Sequence, residues 1–345
     1  MSVIYHERPG IYSDYDCSRV SVTEANRKTV GIVAQAELAA GVYTVRDAAG
    51  AKTLLGEESA LYRLTLLCLR NGAQTVLACP AGTDYAAAIA RVLAEKQAAY
   101  LVVDSEDETV QKTLAQALCN AARQNNECIG LVTLTQSDPD ALLARAKAIN
   151  CERVALLAPG ATQGKEETAQ PADAAACFAG QLAAQSDPAM PLHSMTLLGL
   201  SSVLGRYEED TIDRLIRGGV CVLEAQGGAV CLLRGVTTRT QTEGEEDATF
   251  RELNTTLVAD EVIPAIRRAL RLQFSRAKNN YTTRNAIRNQ VILELESRVE
   301  REIIGGYGEV SAEASTTDPT VCEVEFGFSA LSGLSRIYLT AHVSV

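Results

Sequence analysis

The chain has 345 residues, 47% of them hydrophobic, and 43 acidic against 32 basic side chains give a formal net charge of −11. That length exceeds what a single core usually serves, so two domains are expected. The acidic balance excludes general nucleic-acid or anionic-membrane binding as a working class, and no apolar run approaches membrane-spanning length.

Residues 1–22 read as an extended arm. Pro9-Gly10 signals a turn, Val20-Ser21-Val22 alternates like a short strand, and Val3, Ile4, Tyr5, Ile11, Tyr12 and Tyr15 are too apolar for a free tail. The start of the chain lacks a basic stretch followed by an apolar core, so no signal peptide is expected and synthesis should be cytoplasmic. From residue 28 to 235, strand and helix patterns alternate. Strands are expected at 29–34, 75–79, 100–104, 129–134, 153–158, 220–224 and 230–234, several as continuous apolar runs suited to burial on both faces. Helices are expected at 57–70, 84–96, 109–123, 139–148, 171–184 and 208–217, with Pro139 and Pro171 in first turns and Gly218-Gly219 as a stop. This alternation implies an α/β fold, a mostly parallel sheet with helices on both faces.

The polar, acidic stretch 235–247 reads as a boundary. Beyond it, residues 249–274 are helical, with a break or bend expected at Pro264. Thr283 is the expected cap of a second long helix running to about residue 304, whose Ile287, Val291, Leu295 and Val299 repeat every four residues. Strands are expected at 321–328 and 336–345, making the second domain α+β. The domain expectation is therefore an arm at 1–22, an α/β domain at 23–235, an α+β domain at 236–335 and a terminal strand at 336–345. In that strand Ile337, Leu339, Ala341, Val343 and Val345 share one face, so it needs a sheet to join, in its own domain or in a neighbouring copy.

Catalytic signals fail one by one. Pro159-Gly-Ala-Thr-Gln-Gly-Lys-Glu-Glu167 follows a strand but has three residues between its glycines and Glu166 where a phosphate loop carries Ser or Thr. No G-x-G-x-x-G follows the first strand. The three histidines, His6, His193 and His342, form no recognisable constellation, and the 199–203 segment lacks the second glycine of a nucleophile elbow. Of ten cysteines, all but Cys17 lie in apolar stretches and none form C-x-x-C, so they are expected as isolated, reduced core residues without metal. No catalytic residue, cofactor or metal ligand is assigned. A degenerate hydrolase or a nucleotide-binding protein is the competing α/β reading.

The main electrostatic feature lies between Val262 and Val291, which contains no Asp or Glu but holds Arg267, Arg268, Arg271, Arg276, Lys278, Arg284 and Arg288. Arg267, Arg271 and Lys278 fall near one helix face, and Arg284 and Arg288 are one turn apart. No acid at i±4 neutralises this stripe. Arginine predominates, as on surfaces built for carboxylate or phosphate.

These same residues carry a family resemblance. Phe250-Arg-Glu-Leu-Asn-Thr-Thr-Leu-Val-Ala-Asp260, Ile266-Arg-Arg268, Phe274-Ser-Arg-Ala-Lys-Asn-Asn280, Thr283-Arg-Asn-Ala-Ile-Arg-Asn-Gln-Val291 and Leu339-Thr-Ala-His-Val-Ser-Val345 resemble the C-terminal domain of contractile-tail sheath proteins, and Arg8-Pro-Gly-Ile-Tyr12 resembles their arm. The resemblance implies a central subtilisin-like domain without an active site, a C-terminal sheath domain and extended N- and C-terminal arms. It implies a structural subunit, not an enzyme, that polymerises with itself as stacked six-fold rings around a tail tube and contracts to drive that tube through an envelope. Its partners would be an acidic tube surface, baseplate and tail-terminator proteins, with no direct nucleic acid and no membrane. The setting would be a phage or phage-tail-like particle released on host lysis. By that resemblance Arg276, Lys278, Arg284 and Arg288, with Arg267, Arg268 and Arg271 behind them, would contact the tube. Val3, Ile4, Tyr5, Ile11, Tyr12, Val20 and Val22, together with the apolar face of the terminal strand, would clasp neighbouring subunits.

Overall fold

A computed structural model describes residues 28–164, 168–331 and 333. The arm residues Val3, Ile4, Tyr5, Ile11, Tyr12, Val20 and Val22, the terminal-strand residues Ile337, Leu339, Ala341, Val343 and Val345, and Lys165, Glu166 and Glu167 lie outside the described residues.

The first domain runs β1 (Thr29–Ala34), β2 (Tyr43–Val45), α1 (Ala48–Leu55), α2 (Ala60–Arg70), β3 (Val76–Pro80), α3 (Tyr85–Ala94), β4 (Ala98–Val103), α4 (Glu108–Arg123), β5 (Ile129–Thr133), α5 (Pro139–Ile149) and β6 (Val154–Ala158). It continues through β7 (Ala161–Thr162), α6 (Asp173–Ala184), β8 (Met195–Leu197), β9 (Ser202–Val203), α7 (Glu209–Arg217), β10 (Val220–Gln226) and β11 (Ala229–Leu232). One nine-stranded sheet has the order β2-β3-β1-β4-β5-β6-β10-β11-β8. Its centre, from β3 to β10, is parallel. β2 at one edge and β11 and β8 at the other are antiparallel. The mostly parallel expectation holds, with one refinement. The runs at 220–224 and 230–234 form a hairpin, because Gly227 (φ 60°) and Gly228 (φ 85°) both take the left-handed backbone a tight turn demands.

Every central strand is buried on both faces, and successive side chains alternate between two cores. Ile32, Tyr100, Val102, Leu131 and Leu157 face the layer containing α2 and α6. Val33, Leu101, Val103, Val132 and Leu156 face the layer containing α3, α4 and α5. α2 and α6 meet at Gly180, where an added Cβ would lie 2.3 Å from the Cys68 carbonyl oxygen; only glycine permits that approach. Helix starts follow local chemistry: the side chains of Asp47, Ser59, Asp84, Asp107 and Asp138 accept hydrogen bonds from backbone N–H groups of the first turns. Pro139 opens α5 as expected. Pro171 does not open α6, which starts at Asp173 behind a turn through Ala172 (φ 66°).

A short hairpin, β12 (Gln241–Thr242) with β13 (Glu245–Glu246), occupies the acidic boundary stretch. The second unit contains α8 (Leu253–Phe274), α9 (Tyr281–Glu300), β14 (Ile304–Tyr307), β15 (Ser311–Ala314), β16 (Cys322–Glu325) and β17 (Phe328–Ala330). β14 pairs with β17, and β15 with β16, all antiparallel. The single strand expected at 321–328 is thus two strands with different partners, divided at Gly327, whose carbonyl accepts from the Gly308 N–H (2.9 Å). α8 is not broken at Pro264, since Val258, Val262 and Ile266 are buried on either side of it. Thr283 is not the cap of α9. Asn280 is, its Oδ1 accepting from the Thr283 N–H at 2.8 Å. Val291 and Leu295 are buried and Val299 packs beside them, the core face that the four-residue repeat predicts.

Candidate functional site: the cationic hairpin and the joint beneath it

Helix α8 belongs to two cores at once. Leu253 and Leu257 pack into the sheet domain, while Val258, Val262 and Ile266 pack with Val291 and Leu295 of α9. Where it crosses the amino ends of the parallel strands, polar groups tie it down. The Arg153 guanidinium donates from Nη1 to Oδ2 and from Nη2 to Oδ1 of Asp260, both at 2.9 Å, and the two side chains are only 13% and 15% exposed. This is the bidentate geometry that makes arginine–carboxylate pairs specific. Burial pushes the Asp260 carboxyl above the ordinary range, against the pull of Arg153. Burial lowers Lys28, opposed by Glu261 and Asp260. Lys28 Nζ donates to the Tyr100 hydroxyl (3.3 Å), and Thr256 Oγ1 donates to the Glu152 carbonyl (3.1 Å). Sequence reasoning missed this joint. Asp260 stood within a quoted motif but carried no assigned role.

The cationic residues lie beyond the joint, along the distal half of α8, the connection at 275–280 and the start of α9. Arg267 is not part of an uncompensated stripe: its Nη1 donates to Glu127 Oε1 of the sheet domain at 3.0 Å. Nor does Lys278 continue the α8 face, because α8 ends at Phe274. Arg268, Arg271, Arg276 and Lys278 are exposed. Arg284 Nη1 donates to Asn279 Oδ1 (3.0 Å), and Arg288 Nε to the Val310 carbonyl (2.7 Å). Those acceptors are neutral, so they fix the guanidinium groups without cancelling their charge. Asn279 Nδ2 in turn donates to the carbonyls of Pro319 (2.8 Å) and Val321 (3.0 Å), bracing the tip against the strand unit. Among the described residues, none of Arg268, Arg271, Arg276, Lys278, Arg284 and Arg288 has a carboxylate within ion-pairing distance. Two large apolar side chains share this hairpin in the open, Leu272 at 78% and Tyr281 at 74% exposure. The structure thus groups six of the seven sequence-chosen cations on one hairpin and diverts the seventh into the fold.

The carboxyl ends of the parallel strands, where open α/β sheets bind ligands, are stitched to themselves. Asp104 accepts from the Tyr85 hydroxyl (2.6 Å) and the Gln35 N–H (2.7 Å). Glu106 accepts from the Thr135 N–H (2.7 Å) and hydroxyl (3.1 Å). The helix after the 159–164 loop starts only at Asp173, a buried acid held by Arg63 and Gln163, so among the described residues no free helix N-terminus faces that loop. His193 and Ser194 are both exposed on a surface turn.

Comparison with known proteins bears directly on this arrangement. Residues 80–238 match the phage tail sheath protein central domain, and residues 245–344 match the phage tail sheath C-terminal domain. The chain belongs to the phage tail sheath family. The central-domain match takes in the sheet domain from α3 onward, and α8, starting at Leu253, lies wholly within the C-terminal match. The tail sheath protein of Bacillus phage SP01 is 29% identical over 212 residues, which span 59% of this sheath chain but only 36% of the phage protein. Two solved structures share the fold throughout. A chain of the anti-feeding prophage baseplate has a TM-score of 0.73 at 16% identity, covering 99% of this chain and 100% of that one. A chain of the anti-feeding prophage helical sheath in its contracted state gives 0.72 at 16% identity, with the same coverage.

A further departure from the sequence reading concerns two cysteines. The described cysteines are all free, but Cys119 and Cys151 are not isolated: their sulfurs lie 3.4 Å apart, with Glu152 alongside. No spacing rule flags a pair this far apart in the chain.

Proposed function

We infer that this chain is the structural subunit of a contractile tail sheath, with no catalytic or cofactor role. The observation that carries the reading is the α8–α9 hairpin. Six cations without carboxylate partners among the described residues, beside exposed Leu272 and Tyr281, project from a chain of net charge −11. Charge left uncompensated beside apolar side chains suits a surface that another molecule covers. The partner that fits is a tail tube with an acidic outer surface. Exposed ion pairs contribute about 0–1 kcal/mol each, so attachment through many identical subunits is firm in sum and releasable as each subunit moves.

Subunits stack as six-fold rings, and their arms, 1–22 and 336–345, join sheets of neighbouring subunits by strand addition around the domains at 23–235 and 236–335. Heterologous contacts that do not close generate such helical tubes. The likeness to a six-fold symmetrised baseplate chain and to a contracted helical sheath chain supports ring symmetry, contraction and baseplate attachment; a tail terminator would close the far end. Contraction switches the subunit between two packings and drives the tube through a target envelope, drawing on new inter-subunit contacts. The protein is made in the host cytoplasm, joins a phage or phage-tail-like particle without touching membrane or nucleic acid, and leaves on lysis. The self-satisfied carboxyl edge of the sheet favours this reading over a degenerate hydrolase or nucleotide binder.

Negative-stain microscopy of the purified chain, alone and with its tube protein, tests the proposal. Long hollow cylinders are expected, and a small monodisperse oligomer at every concentration would refute it. Removing residues 336–345 should leave a folded subunit that no longer polymerises.

A further inference from the structure

Cys119 sits on α4, one turn before its end at Arg123, and Cys151 sits between α5 and β6. Neither can drift far. The Cys151 N–H donates to Thr238 Oγ1 (3.1 Å), the Thr238 hydroxyl donates back to the Cys151 carbonyl (3.0 Å), and the Arg153 N–H donates to Cys151 Sγ (3.4 Å). Cys119 is half-buried and Cys151 is 4% exposed, so one sulfur is reachable from solvent and the other waits behind it. The contact with the Cys151 sulfur pulls the Cys119 thiol below its ordinary range, with Arg153 and Arg123 adding to the effect, which favours its thiolate. The same contact and burial push Cys151 up, keeping its proton on until it is needed. Glu152 touches the pair but is already committed, its Oε2 accepting from Arg239 Nη1 at 3.0 Å. The cluster is therefore better suited to thiol–disulfide exchange than to holding a metal ion, which would want further free ligands.

We propose that Cys119 and Cys151 form a modification site, a dithiol that reacts with low-molecular-weight disulfides and closes into an intramolecular disulfide stapling α4 to the entrance of β6. The Cys119 thiolate attacks one sulfur of the small disulfide, whose S–S bond breaks and releases one thiolate. The Cys151 thiol passes its proton to that departing thiolate and attacks the Cys119 sulfur, expelling the second small thiolate. Two protein thiols are oxidised, and one small disulfide is reduced to two thiols. The staple lies beside the joint, since Glu152 and Arg153 next to Cys151 hold α8 through Thr256 and Asp260. A particle passing from a reducing cell to an oxidising medium would thus gain a cross-link at this point. The proposal does not depend on the tube-contact reading.

The full-length chain, fully reduced and freed of reductant, is treated with oxidised glutathione and followed by intact mass, peptide mapping and thermal unfolding. The expected result is loss of two hydrogens with no retained glutathione, a tryptic cross-link joining Cys119 to Cys151, and an upward shift of the thermal midpoint that dithiothreitol reverses. Cys119→Ser should abolish the cross-link, and Cys151→Ser should stop at a glutathione adduct on Cys119. Mapping of the unmodified chain keeps the test independent of how well either variant folds. Retention of glutathione on Cys119 in that chain, a link between subunits, inertness of both thiols, or earlier linkage of the fully buried Cys68 and Cys177 would each overturn the proposal.

Discussion

Asp260→Asn isolates the joint. The substitution keeps the shape of the side chain and one acceptor oxygen but removes the charge opposite Arg153 and one of the two 2.9 Å hydrogen bonds. Because the partners are 13% and 15% exposed, water does little to screen the arginine left behind. Breaking one side of a buried pair costs about 3–5 kcal/mol, and the retained bond favours the lower end, about 3 kcal/mol. Replacing both partners with apolar residues, Arg153→Met with Asp260→Leu, should recover most of that loss, because no buried charge is stranded. Urea unfolding of dilute subunit at neutral pH, run as a double-mutant cycle, measures both quantities. A single-variant loss under about 1 kcal/mol with additive behaviour in the cycle would refute the claim that this pair fastens α8 to the sheet domain.

Three further outcomes are expected. Gly180→Ala places a methyl 2.3 Å from the Cys68 carbonyl oxygen and 2.7 Å from Asn71 Cβ, so denaturant melts should show a loss of about 1–3 kcal/mol; an unchanged midpoint would mean that α2 and α6 are not in contact there. Arg276→Glu with Lys278→Glu reverses two exposed charges that have no carboxylate partners among the described residues, so subunit stability should stay within about 0.5 kcal/mol while co-sedimentation with tubes weakens, most clearly at low salt. Equal co-sedimentation would remove these residues from the tube-facing surface. Asp247 is held down at about 2 by hydrogen bonds from Thr242 and Thr249. The depressed value makes its contribution to the β12–β13 hairpin complete above the ordinary carboxylate pKa and lost as pH falls through about 2. An NMR titration following the Thr249 amide should show that low midpoint in the wild type; an ordinary carboxylate midpoint would contradict the hydrogen-bond assignment.

What the sequence makes legible follows the burial pattern. The parallel strands are readable because each is buried on both faces, so a run such as Val154–Ala158 is apolar without interruption. β14 and β15 leave no such trace: Ile304-Gly-Gly-Tyr307 and Ser311-Ala-Glu-Ala314 are half-exposed, and their pairing with β17 and β16 supplies what their composition does not. Pro264 misleads for the opposite reason, since packing on both sides of it outweighs one missing hydrogen bond. The cationic tract is visible because it contains no acid, a purely local property. Its internal exception is invisible, because the carboxylate that claims Arg267 comes from Glu127, 140 positions away in the chain. The same holds for Arg153 with Asp260, 107 positions apart, and for Cys119 with Cys151, 32 apart. In each case the residue type announces a capacity, and only the fold names the partner. For an arginine, that difference decides whether its charge is spent inside the subunit, as at Arg267, or remains for another molecule, as at Arg276 and Lys278.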